Sequence, residues 1–299
     1  MLQTIVLGLV QGLTEFLPVS SSGHLVVIPY LLSWPQPPLA FDVALHFGTL
    51  LAVVWYFAAD LWYLATRSVG AGVVADGEAA RARRTIGLLA VASVPAAVVG
   101  YVFEGFFEGL FEQSVRPVAA FLLLTALLLY AAEYLRRRRA AAALGTEPSE
   151  LPAHQEALDV GRGEDTTGWL DSIVMGLAQA LAIFPGISRS GATIAAGMLR
   201  GISREGAARF SFLMSIPVIF GASLFKLPDL LGDDTTRLYS NAEIAVGVLA
   251  AALSGYWAIR FLLRLVSSED LTGFARYVVL FAIVTFVGSL WLGPVSQVQ

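Results

Sequence analysis

The chain has 299 residues, of which 57% are hydrophobic and 14% charged, with a formal net charge of −4 and no cysteine. A soluble domain carries about 25% charged residues, so this composition places the chain in a bilayer. It excludes disulfides, thiolate nucleophiles and cysteine-bound metals, and it offers no basic footprint for nucleic acid.

In chain order, residues 2–16 open as an apolar helical run that stops at Pro18 and Ser20-Ser21-Ser22-Gly23, and a shorter apolar piece follows to about residue 32. The opening lacks a basic stretch and an A-x-A cleavage pattern, so this run is expected to be retained, not removed as a signal peptide. Arms of about 11–16 residues reach only about 16–24 Å, too short to cross the hydrocarbon core. Spans of sufficient length are predicted at 39–64, 84–103 and 116–136. The segment 140–168 is rich in Ala, Glu, Gly, Asp and Pro and reads as a flexible cytoplasmic linker. Residues 169–184 then run into Pro185-Gly186 and Ser188-Arg189-Ser190-Gly191, with a second short piece ending near 200. Three further spans, 206–228, 242–264 and 274–293, complete the set.

The two broken segments are copies of each other. Gly8–Leu25 reappears 168 residues later as Gly176–Thr193, with Gly8, Leu9, Gln11, Leu13, Phe16, Ser20, Ser22 and Gly23 identical to their partners. The first copy carries Glu15, Ser21 and His24 where the second has Ile183, Arg189 and Ala192. Non-helical backbone inside a membrane is tolerated only against protein or a water-filled cavity, so each copy reads as a re-entrant hairpin.

Loop charge sets the topology. Arg67, Arg81, Arg83 and Arg84, then Arg136 to Arg139, then Arg200, Arg204 and Arg209, and finally Arg260, Arg264 and Arg276 fall on one side. Glu104, Glu108, Glu112, Asp229, Asp233 and Asp234 fall on the other, with Arg116 and Arg237 as the two exceptions. Arginine-rich loops are cytoplasmic. Hairpin one then enters and leaves outside, hairpin two on the cytoplasmic side, and their tips meet near mid-membrane. The predicted fold is an all-α integral membrane protein with six transmembrane helices plus two re-entrant hairpins in an inverted-topology repeat. It forms one membrane domain over 1–299. Residues 1–139 are the first repeat (hairpin 2–32 plus three spans) and 169–299 the second (hairpin 169–201 plus three spans).

The meeting tips carry the chemistry. Each Ser-x-Ser-Gly run opens a half-helix whose free N–H groups and dipole suit an anion. With Arg189 between them, Ser20, Ser22, Ser188, Ser190 and Thr193 could bind a phosphate or diphosphate, and a guanidinium offers phosphate a bidentate fork. The plainer alternatives are serines that only cap helices and an arginine that snorkels to an interface. Gln11 and Glu15 share a helix face one turn apart. A carboxylate there can pair with Arg189, hold a divalent cation, or take a proton from a hydroxyl. His24 is either an acid–base partner of Ser21 and Glu15 or a packed, satisfied histidine. Asp42 and His46 read as a helix-start carboxylate and a packed imidazole, with a second polar shell as the other option.

Gln11-Gly-Leu-Thr-Glu15, Leu17-Pro-Val-Ser-Ser-Ser-Gly-His24 and Pro185-Gly-Ile-Ser-Arg-Ser-Gly-Ala-Thr193 resemble the undecaprenyl-diphosphatase (bacitracin-resistance) family of membrane phosphatases. Phe41–Val53 and Phe210–Pro217 are similar too, so the resemblance covers nearly the whole chain. It implies removal of the terminal phosphate of a polyprenyl diphosphate at the outer face of the plasma membrane, with a divalent cation, magnesium or calcium, as cofactor. The family's E/Q-x-x-x-E motif falls on Gln11 and Glu15, its candidate metal ligands, and P-G-x-S-R-S-x-x-T falls on Pro185 to Thr193. Catalysis is then expected from Glu15, Ser21, His24 and Arg189. Either Ser21 attacks phosphorus with Glu15 or His24 taking its proton, or metal-bound water attacks and Ser21 is only a ligand. The expected partners are the membrane and the polyprenyl diphosphate lipid, with no nucleic acid, and a homodimer is compatible with the sequence. The rival reading is a transporter or flippase of a phosphorylated substrate, because inverted repeats with broken helices are also a transporter architecture. A purely structural membrane protein leaves the intramembrane Arg189 and Glu15 without a reason.

Overall fold

A proline stands in the break of each copy, at positions offset by one in the repeat. Pro18 forces Leu17 into extended backbone (φ −67°, ψ 142°), so the first helix, α1 (Leu2–Phe16), ends there. Ser20 then caps α2 (Ser21–Leu31) through its Oγ, which accepts from Gly23 N at 3.2 Å. In the second copy, α7 (Trp169–Leu181) gives way to a turn in which Gly186 holds φ +104°. Ser188 then caps α8 (Arg189–Leu199), its Oγ accepting from Gly191 N at 3.0 Å.

The computed structural model describes residues 1–70, 77–103, 115–147, 161–225 and 238–292. Among them the chain is all-helical, with no named strand. Besides the two broken pairs it has α3 (Leu39–Tyr56), α4 (Ala58–Ser68), α5 (Glu78–Val102), α6 (Arg116–Leu144), α9 (Arg204–Phe225), α10 (Asn241–Val266) and α11 (Thr272–Trp291). Six of these, α3, α5, α6, α9, α10 and α11, are long and apolar enough to cross a membrane, whereas α1 and α7 are apolar but shorter. The chain is a multi-pass membrane protein.

Two predicted spans have different ends from those expected. The first is not continuous over 39–64. It stops at Phe57, and α4 sets off with no buried residue, its Asp60 drawn to Arg209 at 3.0 Å. Phe57 itself is fully buried, over Phe212 and under the Arg209 guanidinium, which fixes the bend. The third span runs beyond residue 136 to Leu144 and carries Arg136 to Arg139 on the helix. The reason is a buried ion network. Glu133 accepts from Arg136 Nε at 2.9 Å and from Arg204 Nε at 2.8 Å, and also from Leu271 N at 3.1 Å. Of the segment 140–168, the part from 161 onward is tied down: Arg162 pairs with Asp171 at 2.9 Å, and its backbone bridges to Ile202. The acidic loops at 104–112 and 229–234, and Arg237, lie outside the described residues.

Contacts are exchanged between the repeats. α1 packs on α10 and α7 on α5; α3 packs on α10 and α9 on α5; α6 and α11 pack on each other. The repeat partners Gly8 and Gly176 both sit where helices nearly touch. A Cβ on Gly8 would lie 2.3 Å from the Gly247 carbonyl oxygen, and one on Gly176 would lie 2.6 Å from that of Ala92. The base of the first helix pair is held at the start of α10, where the N-terminal ammonium pairs with Glu243. The base of the second lies at the opposite, arginine-rich end. There Arg84 donates to the Thr167 carbonyl, Arg209 pairs with Glu164, and Arg139 donates to the Leu199 carbonyl. The two tips therefore approach each other through the middle of the molecule.

Candidate active site

The tips touch. Ser190 Oγ, at the start of α8, donates to the Leu17 carbonyl at the end of α1 at 2.9 Å. α6 clamps the second tip from behind: Thr125 Oγ1 donates to the Gly186 carbonyl (3.1 Å) and accepts from Ser188 N (2.9 Å). The first tip is held by an unusual backbone, since Ser20 has φ 72°, a left-handed value for a residue with a side chain. His24 secures that conformation. Its Nδ1 lies 2.7 Å from the Ser20 carbonyl oxygen and its Nε2 2.8 Å from Tyr277 Oη, with the ring stacked 4.0 Å from Phe281.

Glu15 is the centre of the site. It is buried in the last turn of α1, and its two oxygens face different partners. Oε1 accepts from Arg189 Nη2 at 2.7 Å. Oε2 accepts from Ser21 Oγ at 2.5 Å and from Gln11 Nε2 at 3.0 Å. His46 Nε2, from α3, stands 3.6 Å from Oε2. The guanidinium of Arg189 also reaches the Ser211 carbonyl with Nη1 at 3.4 Å. Each oxygen of one carboxylate thus holds a group from a different copy of the repeat. A buried carboxylate needs such partners, because an unpaired ion there is costly.

Most of the expected residues converge. Gln11, Glu15, Ser21 and Arg189 form one connected cluster. Ser20 and Ser188 are buried and act as helix caps, and Ser22 and Ser190 share hydrogen bonds with them at 3.4 and 3.2 Å. Thr193 is turned under α8: its hydroxyl donates to the Arg189 carbonyl (2.7 Å) and meets Ser211 Oγ (2.6 Å), so it steadies the arginine's helix. His24 is the main departure. Expected beside Glu15 and Ser21 as an acid–base group, it faces α11 with both nitrogens engaged, because it shares the Ser20 carbonyl and an aromatic stack. His46 takes the place beside Glu15. Only the i, i+4 spacing of Asp42 and His46 at a helix start signalled it. Thr125, a hydroxyl isolated in an otherwise apolar span, was missed; Ser211 lies in the Phe210–Pro217 stretch that carried the resemblance but was given no role.

The groups around Glu15 bear on a divalent cation. No group of three histidine or acidic side chains gathers among the described residues. The amide oxygen of Gln11, however, is buried without a hydrogen-bond partner while its geminal nitrogen is fixed on Glu15. A carboxylate plus a free amide oxygen, completed by substrate phosphates, fits how magnesium is usually held.

Known proteins resemble this chain over nearly its whole length. Residues 4–284 match the family described as "Bacitracin resistance protein BacA". An undecaprenyl-diphosphatase of Moorella thermoacetica is 42% identical over 291 residues, covering 97% of this chain and 98% of that one. Relatives of the same name from Pelobacter propionicus (40%, 93% of each chain) and Methanobrevibacter smithii (38%, 97% and 98%) are similar throughout. With the match running from the first helix into the last, the chain belongs to the family of the bacitracin resistance protein BacA.

Proposed function

We propose that this protein hydrolyses a polyprenyl diphosphate of the undecaprenyl type to the monophosphate and inorganic phosphate, recycling a carrier lipid. The observation that carries the reading is the line Ser21–Glu15–Arg189, a hydroxyl, a carboxylate and a guanidinium in unbroken hydrogen-bond contact across the two tips. Relatives bearing the name undecaprenyl-diphosphatase along the full length support the substrate class.

The chemistry follows from the distances. Ser21 Oγ attacks the terminal phosphorus and passes its proton to Glu15 Oε2, 2.5 Å away. The Oγ–P bond forms as the bridging P–O bond breaks, and the lipid monophosphate leaves. Water then cleaves the phosphoserine and returns the proton. In the resting protein Glu15 holds Nη2, one prong of the Arg189 fork. An incoming phosphoryl group takes over that fork, freeing the carboxylate to act as base while the arginine meets charge on the equatorial oxygens. The first N–H groups of α2 and α8 add dipole and donors from both sides. Gln11 and Glu15 would hold a divalent cation, which supplies further charge neutralisation when bound. His24 serves as a positioning residue for the Ser20–Ser21 backbone.

The exchanged contacts of the repeats support hairpins that enter from opposite faces, an inverted-topology pair. With the arginine-rich end cytoplasmic, the base of hairpin one lies at the outer face of the plasma membrane, and the site opens there. The same architecture favours transport as the second reading. Phosphate release from farnesyl diphosphate and longer prenyl diphosphates by the detergent-solubilised full chain, with each of several divalent ions, decides between them. Release that is lost in Glu15→Gln and Arg189→Ala supports hydrolysis; no release under any ion leaves transport.

A further inference from the structure

Two electron-pair donors face each other beside Ser21. His46 Nδ1 lies 2.7 Å from the Asp42 carbonyl oxygen, which can only accept, so Nδ1 carries the ring proton. In the neutral ring Nε2 then presents a lone pair. That nitrogen stands 3.6 Å from Glu15 Oε2, itself an acceptor. Two acceptors at this separation repel unless a cation lies between them. A proton or a metal ion on Nε2 would relieve the repulsion, and of the two only a metal ion could also serve the buried Gln11 Oε1.

We propose that His46 Nε2 is a third protein donor, with the Glu15 carboxylate and Gln11 Oε1, to the divalent cation of the phosphatase reaction. This rests on the phosphatase reading of the same site. Calcium and magnesium take oxygen ligands, whereas imidazole nitrogen suits transition metals. A nitrogen donor therefore favours manganese over calcium, while the two oxygen donors still suit magnesium. Charge adds a second consequence. Arg189 already balances Glu15, so a divalent ion leaves surplus positive charge that a diphosphate neutralises. Cation and substrate bind together.

The test is pulsed electron paramagnetic resonance of the full chain in detergent, loaded with manganese(II) in the presence of methylenediphosphonate. The wild type is expected to show nitrogen modulation from a coordinated imidazole. His24→Ala keeps the signal and His46→Gln loses it. Manganese affinity of His46→Gln, read by calorimetry, falls roughly 10–100-fold while calcium affinity stays within about twofold. No nitrogen coupling in the wild type, or coupling retained in His46→Gln, overturns the assignment. The wild-type spectrum decides even if the variant fails to fold. Phosphate release with magnesium is scored separately. Its absence removes the phosphatase reading, whereas release without nitrogen coupling removes only the role of His46.

Discussion

Glu15 Oε1 lies 2.7 Å from Nη2 of Arg189, a residue 174 positions further along the chain. This pair joins the two repeats where α1 ends and α8 begins. It explains why a carboxylate and a guanidinium are retained within an apolar protein, and it gives the resting site a partner that substrate can replace.

Arg189→Lys keeps the charge and loses the fork that reaches Glu15 and the Ser211 carbonyl together. Phosphate release should fall about 10²–10³-fold in kcat/KM, the cost of removing one well-placed donor to a developing anion. Near-normal turnover would take Arg189 out of the transition state.

Glu15→Gln retains the size of the side chain but neither its charge nor its capacity to take the Ser21 proton. A loss of about 10²–10⁴-fold in kcat is expected, the usual contribution of a positioned base. The variant leaves Arg189 without its carboxylate, so a diphosphonate should raise its melting temperature more than that of the wild type. An equal rise in both would argue against displacement of Glu15 by substrate. Ser21→Ala should abolish any phosphorylated serine peptide trapped on acid quench; failure to trap it in the wild type counts against the serine as nucleophile.

Glu133→Gln tests the fold without the site. Glu133 is the shared anion of Arg136 and the fully buried Arg204, so its loss removes one buried ion pair from each. A destabilisation of about 3–5 kcal/mol is expected, seen as a lower denaturation midpoint in detergent. Protein that stays folded should keep its KM, because the network lies at the arginine-rich end.

Gly8→Ala places a methyl carbon 2.3 Å from the Gly247 carbonyl, with Ala250 Cβ at 2.9 Å. Backbone cannot yield as a flexible side chain can, so α1 must move from α10 at a cost of about 1–3 kcal/mol. Glu15 moves with it. Both thermal stability and kcat should drop, whereas Gly221→Ala, which meets open space, should change neither.

Asp270, in the loop between α10 and α11, sets an acid limit. Burial raises its pKa, but hydrogen bonds from Thr272 and the Arg137 ion pair outweigh burial and leave it below the ordinary carboxylate range. A lowered folded value means that its contribution is present above the unfolded value, near pH 4, and fades as pH falls through the folded one. Melting temperature followed downward from pH 6 should therefore decline less steeply in Asp270→Asn than in the wild type. Parallel curves would show that the pair does not act on stability.

The repeat, the two proline breaks and the six spans were legible in the amino-acid order, because helix length, apolar runs and backbone restriction at Pro18 and Pro185 are local properties. So were Glu15, Ser21 and Arg189, since charge and hydroxyls in an apolar chain mark themselves. What only the folded molecule decided was direction. His24 and His46 are indistinguishable as isolated imidazoles; one turns to Tyr277 and Phe281, and the other to Glu15, because α2 and α3 meet different neighbours. The end of the first span at Phe57 and the extension of the third to Leu144 likewise depend on Arg209 and Arg204, partners far away in sequence. Local order sets which segments are helical and where they break; the pairing of distant charges and rings sets which side chains share a site.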